Sequence, residues 1–480
     1  MLFNSLNFIL FFVIVVLLYY IIPNNRSRKV FLLISSYYFY ACFNLTMLSI
    51  LLFETLVAFV FGKYSENILD KRKKKICLTT TIIALFFPLM CFKYLNFFIG
   101  SLSDLLLLSD IRLSMPKFEL LLPIGISFYT FMAVGYIVDV YKEKIKYEKD
   151  ILDFALFIGF FPQIASGPIG RTGELIPQFK ENKPLLYQNI TTGAKMMLWG
   201  FFMKLVVGDR AGIYVDTVFG NYTHHNGASL ILATFMYTIQ IYCDFAGYSL
   251  IAIGAAKAMG YNLMENFRRP YFAVSVADFW RKWHISLSTW FRDYVYFPLG
   301  GSRCNQAKTY RNLMITFLVS GLWHGAAYNF VIWGGYHGIC QVIGRFFKPQ
   351  KDKLRIMLHI SDESLLRKFF DIVVTFCLIA YGWMMFYAPN LQFIVDVTKG
   401  YARLGLPYIH QTTVFFFAIG FVLLLIKDFK DEFFATKVVA LESRHPKSTL
   451  VWHYLKFALI AVLIVWIGVL GGGQFIYFKF

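Results

Sequence analysis

The chain has 480 residues, of which 58% are hydrophobic and only 16% charged, against about a quarter charged in an ordinary soluble domain. A mean hydropathy of +0.56 excludes a soluble globular fold. The net charge of +19 comes from clusters between apolar runs, without the basic face on a soluble domain that nucleic-acid binding requires. Those clusters suit the positive-inside rule and contact with the anionic head groups of membrane lipids, and they are equally compatible with attraction of an anionic substrate.

In chain order, the first six residues, Met-Leu-Phe-Asn-Ser-Leu, hold no Lys or Arg, and no small-residue cleavage site follows the apolar run. A cleaved signal peptide is therefore not expected. Positive charge first appears at Arg26, Arg28 and Lys29, which places that side in the cytoplasm and the N-terminus outside. Residues 30–61 are apolar for two spans with Asn44 at the turn, and the basic loop from Asp70 to Lys75 is again cytoplasmic. A span over 77–100 follows, then a mixed stretch, 101–120, that reads as a surface-lying helix.

Residues 123–141 carry Pro123, Gly125 and Gly135, and the short run 154–170 carries Pro162, Gly167 and Pro168. Such segments are either kinked helices or re-entrant pieces, the latter tolerated only where protein or a water-filled cavity covers the backbone. Further apolar runs cover 194–215, 228–259, 313–339, 370–387, 414–426 and 452–470. The expected fold is an all-α integral membrane protein, a multipass bundle of about 11–12 spans with re-entrant or broken helices at its centre. It reads as one membrane domain over 1–480: N-terminal helices (1–120), a core (121–345), then C-terminal helices and an aromatic tail (346–480).

Chemistry concentrates between Asp278 and Gly338. On a single helix, Asp278-Phe-Trp-Arg-Lys-Trp-His-Ile-Ser-Leu-Ser-Thr-Trp-Phe-Arg-Asp-Tyr294 sets Arg281, His284, Ser288 and Arg292 along one stripe at steps of three and four. His324, in Ser320-Gly-Leu-Trp-His-Gly325, falls near the centre of the run 313–339. An ionisable group at that depth is costly and normally faces a polar cavity or a partner. Asp244, also within an apolar run, pairs with an arginine such as Arg281 or Arg292, or else orients a histidine. Arg281, Lys282 and Arg292 either bind an anionic substrate or pair with Asp278, Asp293 and Asp244.

The other histidines, His337 among them, lack a context that assigns them a role. The seven cysteines show no Cys-x-x-Cys, and the nine histidines show no His-x-x-x-His or His-Glu-x-x-His spacing, so no disulfide frame, zinc site or metalloenzyme is expected. No Gly-rich phosphate loop or dinucleotide fingerprint occurs. Any activated donor must therefore come from outside the bundle.

Several stretches together resemble the membrane-bound O-acyltransferase family, in particular its bacterial alginate O-acetyltransferase branch. They are Pro123-Ile-Gly-Ile-Ser-Phe-Tyr-Thr-Phe131, Phe161-Pro-Gln-Ile-Ala-Ser-Gly-Pro168, Ile241-Tyr-Cys-Asp-Phe-Ala-Gly-Tyr248, the run 278–303 with Tyr296-Phe-Pro-Leu-Gly-Gly-Ser-Arg303, and Leu322-Trp-His-Gly325. The resemblance implies that His324 is essential, beside Trp323, and that His284 is its partner.

Acyl transfer from a thioester to an alcohol needs a base for the hydroxyl and stabilisation of the oxyanion. His324 suits the base, and His284 can hold the second substrate, steady the oxyanion or act as a second base. The expectation is an O-acyltransferase of the bacterial cytoplasmic membrane with no bound cofactor. Acetyl-CoA is the expected donor, a cell-envelope polysaccharide the final acceptor, and a separate extracytoplasmic transferase the partner. The alternatives are D-alanyl transfer from a carrier protein and, in another class, a polysaccharide or lipid transporter. A transporter commonly shows internal symmetry, and the sequence shows none.

The chain ends in Gly471-Gly-Gly-Gln-Phe-Ile-Tyr-Phe-Lys-Phe480, too aromatic for an ordinary disordered tail. It is either an interfacial aromatic anchor or a segment that reaches the cavity mouth. In the second case Tyr477 can take the acyl group as a phenyl ester, which remains activated because phenol has a pKa of about 10. Tyr477→Phe keeps the ring and removes the oxygen. It should block acyl delivery to the polymer while membrane anchoring persists; normal polymer acylation in that variant would leave Tyr477 as an anchor.

Overall fold

A computed structural model describes residues 1–111, 116, 118, 120–165, 167–359, 361, 364–437 and 446–471. The described residues are helical, with no strand among them. Six helical stretches are long and apolar enough to cross a membrane: Leu45–Glu66, Lys71–Leu107, Tyr187–Gly220, Gly227–Ala258, Leu365–Tyr387 and Gln411–Phe433. Shorter apolar helices add Leu6–Ile21, Ile126–Tyr141, Ile151–Ile164 and Val451–Ile467. This is a multipass helical membrane protein. Its long helices present large apolar side chains outward, as Ile83 (62% exposed) and Phe87 (65% exposed) do, which hydrocarbon tolerates and water does not.

The chain divides into two compact units. The first comprises Met1–Ala194, Ala252–Met264 and Gly325–Ala327. It contains α1 (Leu6–Ile21), α2 (Asn25–Ala41), α3 (Leu45–Glu66), α4 (Lys71–Leu89), α5 (Leu95–Leu107), α6 (Ile126–Tyr141), α7 (Ile151–Gly159), α8 (Phe161–Ile164) and α9 (Thr172–Lys180). Side-chain caps set where these helices begin. Asn24, Asn44, Asp70 and Asp150 each accept from a backbone N–H two residues on, meeting one of the donors a helix start leaves open. Asn44 thus marks the expected turn between two spans.

The fourth span runs further than expected. A π-helical turn at Met90–Tyr94 joins α4 to α5, so the stretch read as a surface helix begins inside the span. Of residues 123–141, only Ile126–Tyr141 form the regular helix α6, with Gly135 within it and Gly125 in the left-handed conformation (φ 75°) just ahead of it, whereas 151–164 breaks at Phe160. Helices α3, α4 and α6 pack together, and α2 packs on α7. Several ionisable side chains are buried here. Lys29 pairs with Asp153 at 2.5 Å, and Glu54, fully buried, accepts the Thr130 hydroxyl at 2.9 Å.

The second unit comprises Lys195–Ile251, Glu265–His324 and Tyr328–Phe480. Helix α10 (Tyr187–Phe201) runs into it and continues through a π-helical stretch, Phe202–Gly208, into α11 (Asp209–Gly220). Then come α12 (Gly227–Ala258), α13 (Val276–Lys282), α14 (Ile285–Phe291), α15 (Gln306–His324), α16 (Tyr328–Phe346), α17 (Lys348–Met357), α18 (Leu365–Tyr387), α19 (Leu391–Gly400), α20 (Gln411–Phe433) and α21 (Pro446–Ile467).

The run 313–339 is not the single span its hydropathy suggests. It folds as a helical hairpin, α15 and α16, turning at 325–327. The two backbones touch because glycines face each other. A Cβ on Gly321 would stand 2.2 Å from the Phe330 carbonyl oxygen, and one on Gly334 would stand 2.4 Å from that of Phe317. His324 therefore lies at the hairpin tip, at a helix C-terminus. Gly334→Ala should lower the thermal unfolding midpoint in detergent, an overpacking cost of about 1–3 kcal/mol. Gly335→Ala, whose Cβ meets only Leu318 Cδ2 at 3.6 Å, should leave it near wild type. Equal midpoints for the two variants would rule out backbone contact as the hairpin's determinant.

Candidate active site

The stripe expected over 278–294 is broken in two. Ser275 starts α13 by accepting from the Asp278 N–H at 3.1 Å. The helix stops at Trp283, whose backbone is extended, and His284 adopts the left-handed conformation (φ 43°, ψ 56°) before α14 begins. For a residue with a side chain that conformation costs roughly 1–3 kcal/mol and persists only where its surroundings impose it. Here the neighbouring segment does so: the Ile285 N–H donates to the Asn266 carbonyl and the Arg268 N–H to the Lys282 carbonyl, both at 2.9 Å. Glu432 clamps the same corner, binding Lys282 at 2.6 Å and Arg269 at 2.7 Å.

The kink turns His284 inward, to 1% exposure. Its Nδ1 lies 3.0 Å from Oδ1 of Asn266, which also accepts the Ser286 hydroxyl at 2.9 Å and the Ser286 N–H at 3.3 Å. The Asn266 amide nitrogen in turn donates to Ser249 Oγ at 3.0 Å. Since Oδ1 faces donors, Nδ1 of His284 carries the proton and Nε2 carries the lone pair. Burial pushes the imidazole pKa down to about 3, so the ring is neutral at physiological pH.

His324 is 3% exposed and sits among aromatic edges, with ring centroids 4.9 Å from Trp323, 5.0 Å from Trp333 and 5.4 Å from Phe386. The Trp323 ring also stands 6.3 Å from that of His284. One indole is therefore flanked by both histidines, one from the hairpin tip and one from the kink. His337, given no role from the sequence, also packs against Trp333, with ring centroids 4.9 Å apart.

The other expected members go elsewhere. Asp244 pairs with neither Arg281 nor Arg292. It binds Lys204, which also holds Asp209 at 2.8 Å, and Lys204 is 1% exposed with its ammonium over the Tyr248 ring. Arg281 is exposed beside Asp278 at 3.2 Å, and Arg292 is exposed beside Asp293 at 2.9 Å. With the helix broken at 283–284, these arginines no longer share a stripe with His284. Ser288 donates to the Trp283 carbonyl at 3.2 Å. Tyr477 lies outside the described residues.

Sequence reasoning missed Asn266, Ser249 and Lys204. Lys204 has a visible signal, a cation in the middle of the run 194–215, with apolar residues on both sides. Asn266 has a weaker one, an amide in the polar stretch Glu265-Asn-Phe-Arg-Arg269 just ahead of the histidine motif.

Residues 139–387 match the MBOAT, membrane-bound O-acyltransferase family. The probable alginate O-acetylase AlgI of Pseudomonas aeruginosa is 39% identical over 304 residues, 63% of this chain and 55% of that protein. The peptidoglycan O-acetyltransferase of Helicobacter pylori is 32% identical over 393 residues, covering 76% of this chain and 72% of that one. The teichoic acid D-alanyltransferase of Bacillus subtilis is 30% identical over 285 residues, 56% of this chain and 70% of that one. The chain thus spans little more than half the length of the alginate O-acetylase it matches. With the family match covering more than half of the chain and the Helicobacter relative aligned over most of both sequences, the protein belongs to the membrane-bound O-acyltransferase family and stands close to its alginate O-acetylase branch.

Proposed function

We propose that the protein is a membrane O-acyltransferase that takes an acetyl group from a cytoplasmic thioester such as acetyl-CoA and passes it across the bacterial cytoplasmic membrane. The group is destined for a hydroxyl of a cell-envelope polysaccharide, by way of a separate extracytoplasmic transferase. The observation that carries this reading is the pair of buried histidines on one indole, Trp323, with the tautomer of His284 set by Asn266. Acetyl is favoured over D-alanyl because the relatives at 39% and 32% identity are named for acetyl transfer and the one at 30% for D-alanyl transfer.

In the step itself, His324 takes the proton of the attacking hydroxyl as its oxygen bonds to the thioester carbonyl carbon. The tetrahedral adduct collapses, the C–S bond breaks, and the proton leaves with the sulfur as a thiol. His284 has its one N–H committed to Asn266, so it has none to offer an oxyanion. Its Nε2 accepts, which suits it to hold the donor through one of that molecule's own N–H or O–H groups, since the single proton of the attacking hydroxyl goes to His324. Tyr477 is the proposed first acceptor: its phenol oxygen receives the acetyl group and yields it to the external transferase. Asp244, Arg281 and Arg292 support the fold around the site through their ion pairs.

The test is purified protein with labelled acetyl-CoA, assayed for acyl-protein and acyl-glycan. His324→Ala should lose at least about 100-fold in transfer with normal membrane insertion; retention of more than about a tenth would remove the general-base role. His284→Ala should also be severe, and the double variant little worse than His324→Ala, because residues acting as one unit are non-additive. Multiplying losses would mean that the two histidines work independently.

Asn266→Ala deletes the acceptor that sets the His284 tautomer. Transfer should fall by at least about tenfold, because the side chain's hydrogen bonds to His284, Ser286 and Ser249 are lost together. If transfer is unaffected, Asn266 does not position His284.

A further inference from the structure

Helix α17 takes no part in the chemistry above. Its ten residues, Lys348–Met357, extend about 15 Å at 1.5 Å per residue, too short to cross a bilayer. They link α16 to α18, which pack on each other within the second unit. Helix α18 is long and apolar enough to span, and its charged residues, Arg367, Lys368 and Asp371, all lie in its first two turns. Charge confined to the start of a span sits at head-group level, so α17 and the first turns of α18 lie at one edge of the hydrocarbon.

One buried carboxylate ties the two helices together there. Asp371, 8% exposed, holds Lys351 on one oxygen and Arg355 on the other, both at 2.7 Å, with Arg367 at 3.7 Å. Cations outnumber the acids that could answer them: residues 345–371 carry seven Lys and Arg against four Asp and Glu. Lys348 and Lys353 are exposed and have no ion-pair partner among the described residues. The same region is also apolar. Phe347, Leu354, Met357 and Leu358 recur at helical spacing along α17 and its ends and are 50–68% exposed. At the start of α18, Leu366 is 79% exposed and Phe370 66%.

Exposed cations beside large exposed apolar side chains match two layers at once, an anionic head group and the acyl region beneath it. An acidic protein surface would answer the charges and leave the apolar side chains without a partner. We propose that α17 and the first turns of α18 form a binding site for an anionic phospholipid. Lys351, Arg355 and Arg367 hold its phosphate, Lys348 and Lys353 add attraction, and Phe347, Leu354 and Leu366 meet its acyl chains. Asp371 keeps the cations together when no lipid is bound and competes with the phosphate for them.

The experiment measures retention of phosphatidylglycerol and of phosphatidylcholine with the same acyl chains by the full-length protein in a nonionic detergent. Wild type should prefer phosphatidylglycerol at least about tenfold, and raising the salt should shrink that preference. The double variant Lys348→Gln, Lys353→Gln should weaken phosphatidylglycerol binding about fivefold for each charge removed and leave phosphatidylcholine as it was. Asp371→Asn should act in the opposite direction and strengthen phosphatidylglycerol binding. If that variant fails to fold, the lysine pair, exposed and outside the ion pairs, still decides. No preference in wild type, or one that the lysine variant leaves unchanged, overturns the proposal. Glycerophosphoglycerol, the head group without acyl chains, should not displace the lipid at equal concentration. If it does, the site takes a soluble anion and the lipid assignment falls. A raised KM for the thioester donor in the lysine variant, with lipid retention unchanged, would assign the cations to the donor's phosphates and likewise overturn the proposal.

Discussion

The side-chain oxygen of Asn266 gathers the Ser286 hydroxyl, the Ser286 N–H and the His284 Nδ1–H. The order around the candidate site depends on this convergence. It meets polar groups freed where the chain leaves α13 and enters α14, and it adds side-chain hydrogen bonds to the backbone ones that hold His284 left-handed. It also sets the chemical character of His284. An imidazole that donates from Nδ1 presents a lone pair at Nε2, so one amide takes part in both the local backbone geometry and the tautomer of His284.

The same logic governs where helices break. In hydrocarbon, an uncovered break leaves backbone groups unsatisfied, and irregular backbone persists only where protein covers it. The kink at 283–284 is covered by the segment 266–268, and the hairpin tip at 325–327 follows two helices in glycine-mediated backbone contact. The π-helical stretches at Phe202–Gly208 and Arg292–Tyr296 are a milder form of break, keeping hydrogen bonds while shifting the phase of the helix face; such bulges are frequent near functional sites. Lys204 lies on the first of these, Arg292 and Asp293 on the second.

Buried charge is arranged by proximity across elements. Lys204 on the π-helical stretch, Asp209 at the start of α11 and Asp244 within α12 form one group, and breaking such a group by removing one partner leaves an uncompensated charge at a cost of about 3–5 kcal/mol. Lys29 and Asp153 make the corresponding bond between α2 and α7. Lys204, Asp209 and Asp244 are visible in the sequence as charges inside apolar runs, and Lys29 and Asp153 as charges at the edges of such runs. Which anion meets which cation is not, because hydropathy holds no information about which helices are neighbours.

The membrane class, most of the spans, the Asn44 turn, the break near 160 and the two histidine motifs were all legible in the sequence. They rest on local properties: hydropathy summed over a window, capping chemistry, and residue order within a motif. Periodicity failed where tertiary contacts override the local preference. The apolar run 313–339 reads as one span because hydropathy does not register that Gly321 and Gly334 let two backbones touch. The stripe through Arg281, His284, Ser288 and Arg292 assumes a helix that the distant segment 266–268 interrupts. Sequence by itself determined that two histidines, a tryptophan and a membrane bundle belong together. Only the tertiary structure decided that the Trp323 ring stands near that of His284, that Asn266 sets the tautomer of that histidine, and that Lys204 rather than an arginine answers Asp244, because each of these depends on which distant segments pack side by side.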